Sequence, residues 1–188
     1  MNVFRLADNM RYRLMPYIYA QAKQCTEKGL PMLRALLIEY PDDPGSWLID
    51  NEYLFGSDML VAPLFENTPE REVYLPPATW IDYQTGKSYH GGWHSIAPGE
   101  IPIIILVKEG SVIPHIKLAQ STMQMDWTNL ELIVYATEQT QSATGEVCLP
   151  EDNIPYKLLL KRTANSFNLE NDPFQKEIKW TIRTFTGK

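Results

Sequence analysis

Asp42 and Asp43 are the side chains in this sequence that most invite a chemical reading, because adjacent carboxylates follow the apolar run Met32-Leu33-Arg34-Ala35-Leu36-Leu37-Ile38. Paired carboxyl groups can share acid and base work when they face one another across a reacting bond. Neighbouring residues point apart, however, and Pro41-Asp42-Asp43-Pro44-Gly45 is ordinary turn chemistry, so a turn is expected. The histidines His90, His94 and His115 lack a carboxylate or cysteine at a ligand spacing, which leaves no expected metal site. Cys25 and Cys148 lie in segments of different character and read as separate reduced thiols. No phosphate loop, nucleophile elbow or Cys-His arrangement is present, and no cofactor is expected.

Trp80, Tyr83, Tyr89 and Trp93 form an aromatic cluster over a short stretch. Such rings either fill a β core or stack on sugar faces. Trp80, Tyr83 and Trp93 are therefore the candidate sugar contacts, with core or interface packing as the competing role. Arg34, inside an apolar run, needs an ionic partner if buried, and a carboxylate from an upstream part of a larger domain is the expected one.

These residues are carried by two kinds of element. Phe4, Leu6, Met10, Leu14, Tyr17, Ile18 and Ala22 recur at helical spacing up to a stop at Gly29 and Pro31, and Pro16 predicts a kink or two consecutive helices. Met32 to Tyr40 reads as a strand buried on both faces, as in a parallel sheet. Ser46 is the expected cap of a short helix through Trp47 and Tyr53. From Met59 onward short β-favouring runs alternate with turns, with hairpin connections expected at Thr85-Gly86 and Gly91-Gly92 and a central strand over Ile101 to Val107. Five more strands follow a shift near Leu118 to Met125, pointing to an antiparallel sandwich. A doubly buried parallel strand needs parallel neighbours that this sequence does not supply, so residues 1–58 read as the end of a larger α/β domain.

With 188 residues, 44% of them hydrophobic, the chain can furnish a core. Seventeen Lys and Arg against twenty-three Asp and Glu give a formal net charge of -6, which argues against nucleic acid and anionic membranes as partners. The longest apolar run, Ile101 to Val107, has strand length rather than the ~20 residues of a membrane span, and Met1 to Asp8 shows no signal-peptide pattern.

The blocks Arg11-Tyr12-Arg13-Leu14-Met15-Pro16-Tyr17-Ile18-Tyr19, Gly29-Leu30-Pro31-Met32-Leu33-Arg34-Ala35-Leu36, Glu39-Tyr40-Pro41-Asp42-Asp43-Pro44 and Tyr53-Leu54-Phe55-Gly56-Ser57-Asp58-Met59-Leu60-Val61-Ala62-Pro63 resemble, in order and spacing, the end of the catalytic domain in glycoside hydrolase family 31. Val73-Tyr74-Leu75-Pro76-Pro77 and Trp80-Ile81-Asp82-Tyr83-Gln84-Thr85-Gly86 resemble the proximal β-domain of its α-xylosidase-like members. The resemblance implies a mixed α and β chain: the C-terminal end of a (β/α)8 barrel over 1–58, a proximal β-domain over 59–120 and a distal one over 121–188. It further implies that the family's two catalytic aspartates lie upstream of Met1, leaving no catalytic residue here. The expected function is the structural C-terminal part of a retaining α-glycosidase acting on α-linked xylo- or gluco-oligosaccharides, with a non-catalytic carbohydrate-binding β-module as the alternative. Exposed apolar faces on the isolated chain predict self-association.

Overall fold

The computed structural model describes residues 2–66, 68–164, 166–174 and 177–186, and these divide into two compact units. One comprises the residues up to Gly29 with Gly110–Thr186, the other Leu30–Glu109.

The first unit opens with two consecutive helices, α1 (Asn2–Arg13) and α2 (Met15–Lys28), as Pro16 predicts. Pro16 sits in the first turn of α2, where its missing N–H would have had no intrahelical acceptor. Gly29 ends the helix at φ 68°, a left-handed conformation that glycine adopts without a Cβ clash. Pro16, Tyr17, Ala20, Gln21 and Gln24 form the buried stripe of α2. That stripe packs on β7 (Ser111–Ile116) and β9 (Ser142–Val147). Helix α1 buries none of its residues, and Phe4 is 79% exposed.

The sheet of this unit is completed by β8 (Asn129–Ala136), β10 (Tyr156–Thr163), β11 (Ser166–Leu169) and β12 (Lys179–Thr186), in the order β11-β10-β9-β7-β8-β12. Its two terminal strands, β11 and β12, touch, so the sheet curls around a core that includes Val112, Leu132, Val134, Leu158, Leu160 and Phe167. The expected wholly antiparallel arrangement needs correcting. β12 runs parallel to β8 and β7 parallel to β9. The long connection from β8 to β12 contains β9, β10 and β11, which gives the chain the length a parallel return requires.

The second unit holds the sheet β1-β2-β3-β6-β4-β5, built from β1 (Leu33–Arg34), β2 (Tyr53–Phe55), β3 (Met59–Pro63), β4 (Arg71–Asp82), β5 (Ser88–Ile96) and β6 (Ile103–Lys108). β6 is central, between β3 and β4, which explains its lack of polar alternation. The strand expected from Met32 to Tyr40 is instead the two-residue β1 followed by one helical turn, α3 (Leu36–Glu39). A nearly continuous apolar run satisfies both periods, and here only Arg34 and Leu36 within it are buried. The helix expected from Trp47 to Tyr53 is a 3-10 turn at Pro44–Trp47, after which the chain enters β2. Gly91-Gly92 is not a hairpin connection. It lies inside β5 opposite the irregularity between Leu75 and Thr79, where a Cβ on Gly91 would come 3.0 Å from the Pro77 Cα.

The expected divisions after residues 58 and 120 do not coincide with the two units. The helices pack on β7 and β9, whereas β1 and β2 extend the same hydrogen-bonded sheet as β3. The helix, strand and helix read as a barrel end are thus shared between the two units.

Candidate functional site

The turn that carries Asp42 and Asp43 is anchored on the β4–β5 ribbon. Asp43 caps the 3-10 turn, accepting from the Gly45 amide at 3.2 Å and from the Ser46 hydroxyl at 2.7 Å. Ser46, the expected cap, therefore serves as a donor to the real one. The Tyr74 hydroxyl donates between both Asp43 oxygens at 2.8 Å. A Cβ on Gly45 would lie 2.2 Å from that hydroxyl, so a larger residue here would have to displace the Tyr74 ring from Asp43. Slight burial works against ionisation of Asp43, but the Ser46 and Tyr74 hydroxyls and nearby amides outweigh it and hold the carboxyl below its usual range. Tyr74 is pushed up to about 12 by burial and then by its bond to, and the charge of, Asp43. Asp43 is an ionised capping group with both oxygens occupied, which suits a turn rather than acid/base chemistry.

On the outer side of the ribbon, Trp93 stands across from Tyr74 in register, with ring centroids 5.3 Å apart. Trp93 is 60% exposed. Trp80 is on the opposite face, fully buried, its indole N–H donating to the Pro76 carbonyl at 3.0 Å. Its ring packs near Tyr40 in the core with Val73, Leu75 and Leu106. As a sugar contact Trp80 is therefore excluded by burial. Tyr83 is half-buried just past β4, its amide bonded to the Ile105 carbonyl at 2.9 Å. Tyr89 shares the Trp80 face and packs against the same core, with the Lys87 ammonium 4.9 Å from its ring centre. The aromatic cluster of the sequence is thus split between two faces, and Trp93 is the member that presents its ring to solvent.

Arg34 finds its partners locally. Its guanidinium pairs with Glu39 and donates to the Pro31 carbonyl at 2.8 Å, so the expected upstream carboxylate is replaced by one five residues along. The histidines are dispersed: His90 meets Thr79, His94 meets the His90 carbonyl, and His115 is buried on β7. Burial, chiefly, pushes the His115 ring down to about 4 despite its bond to the Ile113 carbonyl, with the Arg13 charge adding to the shift. Among the described residues no group of three or more His, Cys, Asp or Glu side chains is placed to hold a metal ion. Cys25 and Cys148 are not joined in a disulfide.

Sequence reasoning missed Glu52. Its carboxylate is fully buried, accepting from the Tyr74 amide at 2.9 Å and lying 3.4 Å from Arg71, while Oε2 has no hydrogen-bond partner among the described residues. Burial pushes it up to about 7, against the opposing pull of the Tyr74 amide and Arg71. A single Glu ahead of a short apolar run carries no local signal of such an environment.

Residues 29–113 match the glycosyl hydrolase family 31 C-terminal domain. Among curated relatives, an isomaltosyltransferase of Sporosarcina globispora is 37% identical over 113 residues, 59% of this chain and 10% of its own length. An α-xylosidase of Emericella nidulans is 28% identical over 181 residues, 90% of this chain and 23% of its own length. A glycoside hydrolase family 31 dextranase of Flavobacterium johnsoniae, solved with glucose, superposes with a TM-score of 0.79 at 26% identity, over 89% of this chain and 22% of that one. The chain thus spans less than a quarter of the length of these relatives. Over residues 29–113 this chain belongs to glycosyl hydrolase family 31, as a member of its C-terminal domain.

Proposed function

We propose that this chain is the structural, non-catalytic C-terminal part of a retaining α-glycosidase that hydrolyses α-xylosidic or α-glucosidic bonds in α-linked oligosaccharides. The match over residues 29–113, with an α-xylosidase relative extending along 90% of the chain, carries the reading. The use of Asp43 as a fully engaged cap also supports it. In the intact enzyme the N-terminal stretch would adjoin the catalytic barrel and the two sheets would brace it, with nucleophile and acid/base supplied upstream. The purified 188-residue chain is then expected to show no turnover of chromogenic α-xylosides or α-glucosides. Measurable turnover would overturn the reading. Sequencing the DNA upstream of Met1 in all three frames should reveal barrel strands bearing two aspartates, and their absence would count against it.

A second reading, a carbohydrate-binding β-module, is favoured by the exposure of Trp93 beside Tyr74. An indole face open to water offers a sugar ring a flat apolar surface. Saturable binding of xyloglucan oligosaccharides that disappears in Trp93→Ala, with unfolding unchanged, would support this module. Equal binding by the variant would remove Trp93 from it.

A further inference from the structure

A second feature lies in the first unit, far along the sequence from the turn at Asp43, and does not rest on the proposed glycosidase reading. Glu131, on β8, is bracketed by two guanidinium groups, with Arg13 Nη2 2.8 Å from Oε2 and Arg183 Nε 2.7 Å from Oε1. Both oxygens of the one carboxylate are thereby engaged, Oε2 by the hydrogen bond from Arg13 and Oε1 by the ion pair with Arg183. Arg13 comes from the end of α1, Glu131 from β8 and Arg183 from β12, so helix and sheet together set the spacing. The three side chains line a hollow of about 460 Å³, together with Lys117, Leu118 and Thr181. Lys117, just beyond β7, lends its charge to exposed Asp126 but makes no hydrogen bond among the described residues. Three cations thus line the hollow against Glu131, with Asp126 near Lys117 as a second carboxylate, which leaves a small local excess of positive charge in a chain whose net charge is -6.

We propose that this hollow binds a small anion of the carboxylate or phosphate class. A guanidinium held by one bond to a carboxylate is fixed in orientation while its remaining N–H donors stay available, and planar forks of this kind match the oxygens of both anion types. Lys117 adds a point charge on a flexible stem, and Thr181 is a further polar residue of the lining. Glu131 anchors the arginines and keeps an empty hollow from being a cluster of bare like charges. A hollow of this size lies within the range of small-molecule sites.

Calorimetric titration of the 188-residue chain at low ionic strength tests the proposal, with glucuronate and inorganic phosphate as probes and glucose as the neutral control. One saturable site is expected for at least one anion and none for glucose. Arg183→Gln and Lys117→Gln remove exposed side chains, so their thermal unfolding should match the parent. Each should bind the anion about tenfold more weakly, the loss expected for one charge-assisted hydrogen bond. Tighter binding of glucuronate would identify an organic acid as the ligand class, and tighter binding of phosphate a phosphate group. No saturable heat from either anion up to about 10 mM, a limit well above ordinary ligand affinities, would overturn the proposal. Undiminished binding in the Arg183→Gln, Lys117→Gln double variant would overturn it equally.

Discussion

Glu52 couples the stability of its unit to pH through burial alone. Its carboxyl titrates near 4.5 when unfolded and at about 7 in the fold. Between those values the folded chain holds the extra proton, so stability falls as pH rises through this window, and the full penalty applies above about 7. Glu52→Gln keeps the acceptor for the Tyr74 amide and removes the buried charge. The variant should match the parent near pH 4 and exceed it by about 2 kcal/mol at pH 8 in chemical denaturation. Equal stability of parent and variant at both pH values would show that Arg71 fully compensates the burial. The two tryptophans on the ribbon make a contrasting pair. Trp80→Ala empties the core and should cost about 3–5 kcal/mol, whereas Trp93→Ala should change stability by less than about 1 kcal/mol. Similar losses in both would mean that Trp93 is structural after all.

At the scale of elements, the close approach of β7 and β9 is the most exacting contact in the first unit. A Cβ on Gly145 would lie 2.3 Å from the Val112 carbonyl oxygen, a backbone atom that cannot rotate away. Gly145→Ala should therefore disrupt the parallel pairing and lower stability by more than about 3 kcal/mol, read as a drop in unfolding midpoint. At Gly29 a Cβ would meet nothing within 4 Å, and only the left-handed φ opposes a side chain. Gly29→Ala is expected to cost about 1 kcal/mol. Reversal of that order would show that backbone conformation outweighs steric exclusion here. Neither requirement belongs to glycine as such: one is space, the other is a dihedral angle.

At the scale of the whole molecule, one buried group in each unit couples stability to pH, and the two couplings have opposite signs. His115 lies in the first unit, with its ring pushed down to about 4 in the fold from an ordinary 6.5. The unfolded chain takes the proton first there, so this contribution is lost as pH falls from about 6.5 towards 4. Glu52, in the second unit, acts the other way between about 4.5 and 7. Hydrogen exchange corrected for intrinsic rates should show protection of β7 and β8 increasing from pH 4.5 to 6.5 while that of β2 and β4 declines. A common trend in both would indicate that the chain opens as one cooperative body. Exposed Phe4, Leu33, Leu48 and Phe65 add a further expectation at this scale, self-association of the isolated chain, visible as concentration-dependent sedimentation. A monomer at all concentrations would contradict it.

What the sequence by itself determined is local or repeated along the chain. The helical period and the stops at Pro16 and Gly29 define α1 and α2, the alternating runs locate the strands, and the ordered blocks from Arg11 to Gly86 identify the family. Each depends on neighbours within a few residues, or on spacing preserved along the chain. Tertiary structure alone decided which face of β4 and β5 received Trp80 and which Trp93, that β12 returns parallel to β8, and that residues 33–39 form a short strand and a helical turn. It also decided that Arg34 pairs with Glu39, and that Glu52 and Glu131 acquire their arginines. The physical reason is that a strand's two faces are equivalent until another layer buries one of them. A charge, likewise, has no environment until packing brings distant residues around it.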